Sequence, residues 1–177
     1  MTQEAGGRVP GIGAPVAGTL AMDTYVRKQA IGDVVVNAGL TVLINGWLTG
    51  GHALVPGSLP FGDTAPNVGG TLVGIAVLQS LLLTPIVFAL TVAQRKAGKV
   101  APPLDPAVRS GMASARLTLI HCAMTLVGAI VLGAMLKAVA PDLQLPRWGF
   151  VGLAGMISGL LAWALSRSTT RGTLRLA

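Results

Sequence analysis

Long apolar runs alternate along this chain with shorter stretches that are polar or rich in Gly and Pro. Four of the runs, at about residues 30–49, 69–93, 115–136 and 148–165, reach the length that an α-helix needs to cross a hydrocarbon core about 30 Å thick. Between the first two, Gly50 to Asn67 contains several Gly and Pro residues and is predicted to be an irregular loop. The pattern predicts an all-α, polytopic integral membrane protein with four transmembrane helices.

The composition supports this class. Hydrophobic residues make up 52% of the chain and charged residues only 11%, whereas a soluble domain is about 25% charged. So few charges could not cover the surface of a water-soluble globule. Cys122 is the single cysteine, which excludes an intrachain disulfide, a CxxC redox pair and a cysteine-rich metal site.

The basic residues predict an orientation. The chain has a formal charge of +7. Its basic residues lie beside apolar runs and do not form an element that reads nucleic-acid bases, so nucleic acid is not a predicted partner. All Lys and Arg except Lys137 and Arg147 fall on the side of the two termini and of the loop after the second span. By the positive-inside rule both termini are cytoplasmic. We therefore predict a tail at 1–28, a transmembrane domain at 29–166 and a basic tail at 167–177.

Polar residues inside the spans suggest an intramembrane cluster. Counting about 1.5 Å per residue from the cytoplasmic side places five side chains at similar depths, where they could converge. Asp33 can be interpreted as a proton- or cation-coupling carboxylate. The favoured interpretation is structural, because Asp33 is predicted near the start of its helix and Arg116 could neutralise it. The five residues are Asp33, Asn37, Thr84, Arg116 and His121.

His121 allows two interpretations. A neutral imidazole could relay protons or ligate haem or (bacterio)chlorophyll. However, His52, the other histidine, lies in the predicted outer loop, so a second axial ligand within the chain is missing. An interhelical hydrogen bond to Asn37 or Thr125 is favoured. No cofactor is predicted apart from membrane lipids, and haem or pigment binding is kept as an alternative.

Two roles are possible for further polar residues in the spans: joining helices to each other, or lining a permeation path. Thr41, Asn45 and Gln79 could line a polar path through the membrane, yet amides and hydroxyls commonly join membrane helices to each other. The role of joining helices is favoured.

Small residues form a seam on the fourth span. They recur every three or four residues and would let another helix approach closely, either within the bundle or from another subunit. A GxxxG spacing also occurs on the second span. The residues are Gly152, Gly155, Gly159, Ala162 and Ser166, with Gly70 and Gly74 on the second span.

No enzyme signature emerges from these patterns. Paired cysteines, an aspartate cluster for Mg²⁺ and a GxSxG motif are all missing from the sequence. The leading hypothesis is a non-catalytic accessory, assembly or structural subunit of a larger complex in a bacterial cytoplasmic membrane, possible hosts being respiratory and photosynthetic complexes. The alternative is a small dimeric transporter or channel. A bacterial origin is inferred from a composition rich in Ala, Gly, Val and Arg.

Overall fold

The computed structural model describes residues 20–57 and 66–176. This part of the chain contains four long helices, and each is long and apolar enough to cross a membrane. The prediction of an all-helical protein with four hydrophobic helices is therefore confirmed. The helices are α1 (Met22–Leu48), α2 (Val68–Lys96), α3 (Gly111–Val139) and α4 (Arg147–Gly172), with a short 3-10 helix at Thr173–Arg175.

Each helix is longer than the span predicted for it. α1 begins at Met22, and α4 continues to Gly172, so the predicted domain limits near residues 28 and 166 fall inside helices. The physical reason is that intrahelical hydrogen bonding does not require apolar side chains and continues through the polar residues that flank a span. Residues 1–19 of the predicted tail lie outside the described residues.

Two short strand pairs connect the helix ends. β1 (Leu20–Ala21) runs parallel to β3 (Val100–Ala101), which joins the start of α1 to the α2–α3 connection. β2 (Leu54–Pro56) runs antiparallel to β4 (Gln144–Pro146), and this pair joins the α1–α2 connection to the α3–α4 connection. Part of the predicted irregular loop is therefore a strand, while residues 58–65 lie outside the described residues.

The helix order places α2 and α4 at the centre. α4 packs along both α1 and α2, and α3 packs mainly along α2. α1 and α3 consequently lie on opposite sides of the central pair. Two apolar clusters along the α2–α4 interface support this arrangement. One contains Phe150 and Leu72, and the other contains Val87 and Leu165.

A buried arginine ties the end of α2 to the end of α4. α2 ends at Lys96, and Gly98 follows with a φ of +68° that favours glycine. The Lys99 N–H donates to the Gln94 carbonyl, which completes a Schellman arrangement. Arg95 is buried there. Its Nε donates to Pro102 O at 2.8 Å and its Nη1 donates to Thr173 O. The α2–α3 connection and the end of α4 therefore meet at one end of the molecule.

Candidate functional site

The small-residue seam of α4 brings α1 close to the backbone. A Cβ added at Gly155 would lie 2.6 Å from Cγ2 of Val42, and one at Gly159 would lie 3.4 Å from Cβ of Ala38. These two glycines therefore face α1 within the chain. Of the two packing possibilities left open by the sequence, the structure shows the internal one at these positions.

Other members of the seam have different neighbours. Ala162 is fully buried and packs with Leu83 and Val87 of α2. Ser166 is also fully buried. Gly152 is exposed, and a Cβ added there would meet no atom within 4 Å. The α4 seam thus contacts two helices but does not include its first predicted member.

The glycine pair on α2 has no helix packed onto it. Gly70 lies in the first turn, where its N–H donates to the N-cap side chain of Asn67 at 2.6 Å. A Cβ added at Gly74 would meet nothing within 4 Å. The GxxxG spacing on α2 therefore does not mark a helix contact within the described chain.

A polar cluster centred on Ser158 joins three helices. Ser158 of α4 is fully buried, and its Oγ accepts from Gln79 Nε2 of α2 at 2.5 Å and from Thr41 Oγ1 of α1 at 2.7 Å. The same hydroxyl donates to the Asn37 carbonyl at 3.1 Å. Gln79 Nε2 is also 3.4 Å from Asn37 Oδ1. We call this group the Ser158 cluster.

The amides in and next to the Ser158 cluster do not all form hydrogen bonds between helices. Asn37 Nδ2 donates to the Asp33 carbonyl at 2.8 Å, and Asn45 Nδ2 donates to the Thr41 carbonyl at 2.9 Å, so both bond within α1. Gln79 Oε1 is buried and has no hydrogen-bond partner. Gln79 consequently contributes donors to the interface and leaves one acceptor unmatched.

A second polar cluster joins α3 to the central pair. His121 of α3 is buried, and its Nδ1 lies 3.1 Å from Thr84 Oγ1 of α2. Its Nε2 lies 2.9 Å from Ser168 Oγ of α4. One turn away, Ser80 Oγ and Thr125 Oγ1 are 2.7 Å apart. We call this group the His121 cluster.

The geometry of the His121 cluster bears on cofactor binding. A neutral imidazole has one donor and one acceptor nitrogen, and the two hydroxyls can complement either tautomer. Both ring nitrogens are therefore already engaged. A haem or pigment would have to displace Thr84 or Ser168 to reach the ring.

The five side chains predicted to converge do not form one cluster. Thr84 and His121 meet, but Asn37 belongs to the Ser158 cluster, because α1 and α3 lie on opposite sides of the α2–α4 pair. Arg116 is exposed on α3 and does not pair with Asp33. The depth estimate compared positions along the membrane normal and contained no information about lateral helix order.

The environment of Asp33 also differs from the prediction. α1 begins at Met22, about three helical turns earlier, and a helix dipole acts mainly within the first turn. Asp33 is therefore not stabilised by the helix start. Both of its carboxylate oxygens instead accept from Gln29 Nε2, at 3.1 and 3.2 Å.

Sequence reasoning missed the two serines that complete these clusters. Ser158 lies between Gly155 and Gly159, inside the seam that had been identified, and Ser168 lies beyond the predicted end of the fourth span. A hydroxyl at a close-packed position was the available signal for Ser158. For Ser168 the signal was hidden because the helix continues past its apolar segment.

The chemistry of the two clusters is that of neutral hydroxyl, amide and imidazole groups. The described residues contain no group of three His, Cys, Asp or Glu side chains arranged to hold a metal ion. Comparisons with protein-family models, curated proteins and solved structures gave no match. The assignment of function therefore depends on the chain's own geometry.

Proposed function

We propose that this protein is a non-catalytic subunit of a larger membrane complex, and that α1 supplies the face that contacts a partner helix. The observation that carries the proposal is a stripe of glycines on α1. Gly32, Gly39 and Gly46 recur at seven-residue intervals, and a Cβ added at any of them would meet nothing within 4 Å. Seven residues are about two helical turns, so the three positions share one face. We call this face the α1 glycine stripe.

Large apolar residues accompany the α1 glycine stripe. Val36 and Leu43 lie between successive glycines and are 58% and 70% exposed. Small residues at a fixed helical interval allow two backbones to approach closely, and adjacent aliphatic side chains fill the space beside them. This face is not used by α4, which contacts Ala38 and Val42. A helix from another polypeptide fits it.

The polar clusters support the same proposal. Hydroxyl and amide groups of the Ser158 cluster bond across helices, which is how such groups commonly join membrane helices. A subunit held together in this way needs no substrate to explain its buried polar side chains.

We further propose that the termini face the cytoplasm of a bacterial cell. The end of the molecule that contains the start of α1, the α2–α3 connection and the end of α4 also carries most of the basic residues. The opposite end has Lys137 and Arg147. Positive charge concentrates on the cytoplasmic side of membrane proteins, which supports this orientation in the inner membrane.

The experiment that tests the subunit proposal compares two glycine substitutions. The tagged full chain is extracted with a mild detergent, and the stoichiometry of the extracted assembly is measured by native mass spectrometry. Gly39→Leu alters the α1 glycine stripe, whereas the control Gly128→Leu alters an exposed position on α3 where a Cβ also meets nothing within 4 Å. We expect Gly39→Leu to release the chain from a stoichiometric complex and Gly128→Leu to leave it bound.

Three results would contradict the proposal. These are recovery of the unmodified chain as a monomer with lipid alone, recovery as a dimer of this chain, and loss of the complex by both variants. A dimer would favour a small transporter instead.

One observation favours that second candidate function. Gln79 Oε1 is buried without a partner in the middle of the Ser158 cluster, and an unmatched acceptor at membrane depth is a place where water or a solute can bind. If the purified chain moves protons or a solute across liposomes, and Asp33→Asn stops this movement without lowering the amount of protein, the transporter replaces the subunit as the best function.

A further inference from the structure

A groove between α3 and α4 lies at the basic end of the molecule. It has a volume of about 620 Å³. Its lining changes character along its length. Trp163 and Ala164 form one part, and Arg167, Arg171 and Arg175 lie along the other, where Leu117 of α3 packs against Gly172. An apolar region therefore adjoins a row of cations.

An aromatic contact defines the position of Arg167. The Arg167 guanidinium carbon lies 4.6 Å from the centre of the Trp163 ring, a cation–π distance. Arg171 follows Arg167 one helical turn later and is exposed. The indole therefore marks the level where apolar and aqueous regions meet, as tryptophans do at membrane interfaces.

The groove lacks an acidic counterpart. No Asp or Glu lies among the described residues that line it. A second groove of about 490 Å³, between α1 and α4, shares Trp163, Arg167 and Arg171 but also contains Asp23. The α3–α4 groove is therefore the more positive of the two, and the three arginines within it repel each other unless an anion binds.

We propose that the α3–α4 groove is a binding site for an anionic glycerophospholipid. The phosphate is held by Arg171 and Arg175, and the glycerol and first acyl methylenes lie against Trp163 and Ala164. Basic pockets between membrane helices on the cytoplasmic side suit anionic headgroups. The apolar part of the groove explains why a lipid fits better than a free phosphate. The inference rests on the proposed membrane location but not on the partner of α1.

The test measures lipid retention by the full chain in detergent micelles with native mass spectrometry. Phosphatidylglycerol and phosphatidylcholine with identical acyl chains are the two lipid probes, and inorganic phosphate is the competitor. The test variant is Arg171→Gln with Arg175→Gln. The matched control, Lys99→Gln with Arg109→Gln, removes the same charge from exposed residues at the same end of the molecule. Arg27→Gln alters the α1–α4 groove only.

We expect the unmodified chain and both controls to retain phosphatidylglycerol about tenfold better than phosphatidylcholine. The Arg171 and Arg175 double variant should retain the two lipids equally. The proposal is overturned if this double variant and the Lys99 and Arg109 control behave alike, if Arg27→Gln has the larger effect, or if inorganic phosphate displaces the lipid.

The failure of this proposal is distinguishable from failure of the proposed function. A chain that is recovered in the soluble fraction contradicts the membrane location itself. A chain that needs detergent but shows no headgroup preference contradicts only the lipid site.

Discussion

At the scale of single residues, this protein uses neutral polar side chains to join its helices. Ser158 is an example, since its hydroxyl contacts Gln79, Thr41 and Asn37 on two other helices. Hydrogen bonds between membrane helices contribute roughly 0.6 to 2 kcal/mol each. A hydroxyl that takes part in three of them should have a measurable effect on stability.

Replacing Ser158 with Ala tests this expectation. The change removes one hydroxyl from a fully buried site. The Gln79 amide and the Thr41 hydroxyl then lose the oxygen to which they donate. We expect the free energy of unfolding to fall by about 1 to 2 kcal/mol. The measurement is reversible denaturation of the purified chain in mixed micelles, followed by circular dichroism.

Thr118→Ala serves as the control for Ser158→Ala. The Thr118 hydroxyl donates to the Ser114 carbonyl of its own helix at 2.9 Å, so its loss breaks no bond between helices. Equal destabilisation by the two substitutions would show that the Ser158 cluster does not stabilise the helix arrangement.

At the scale of the elements, the contact between α1 and α4 depends on glycine. The two helices approach so closely at Gly155 that even a methyl group would overlap Val42. The β-branched side chain of Val42 has little rotational freedom to move away. The backbones must therefore separate if a larger residue is introduced.

Gly155→Leu should consequently weaken the α1–α4 packing. Overpacking of a close contact destabilises a protein by about 1 to 3 kcal/mol, and we expect a loss in this range for the isolated chain in micelles. Gly152→Leu, three residues earlier on an exposed face, should have little effect. The measurement is the midpoint of thermal unfolding, and a larger decrease for Gly152→Leu would refute the internal packing of the seam.

At the scale of the whole molecule, the two ends differ in charge. β1 and β3 close the end that carries Lys99 and Arg175, while β2 and β4 close the end near Arg147. Indole rings occur toward both ends, with Trp148 next to Arg147 at a centroid distance of 4.7 Å and Trp163 next to Arg167. This polarity predicts a single orientation in the membrane.

Labelling of single cysteines checks the orientation. In a Cys122→Ala background, Ala107→Cys and Gln144→Cys place one thiol at each end, and both native side chains are exposed. With a membrane-impermeant maleimide added to intact cells made permeable only in the outer membrane, we expect labelling at 144 and none at 107, because the basic end stays inside. Labelling at 107 alone would invert the orientation, and labelling at both would indicate mixed insertion.

Part of the site could be inferred from residue counting along each helix. Thr84 and His121 were placed at the same depth, and they are in contact. The structure does not bring Arg116 to Asp33, because depth does not specify which helices are neighbours. Ser168 escaped attention because α4 continues past its apolar segment.

The amino-acid sequence by itself determined the four apolar helices and the unequal charge of the two ends. Both follow from local properties, since hydropathy over about 20 residues and the adjacent Lys and Arg act without reference to the rest of the chain. Only the tertiary structure decided that α2 and α4 are central, that α1 and α3 are separated, and that Ser158 and His121 centre two distinct clusters. Those features depend on the rotation and order of the helices, which side-chain packing selects only after the spans have formed.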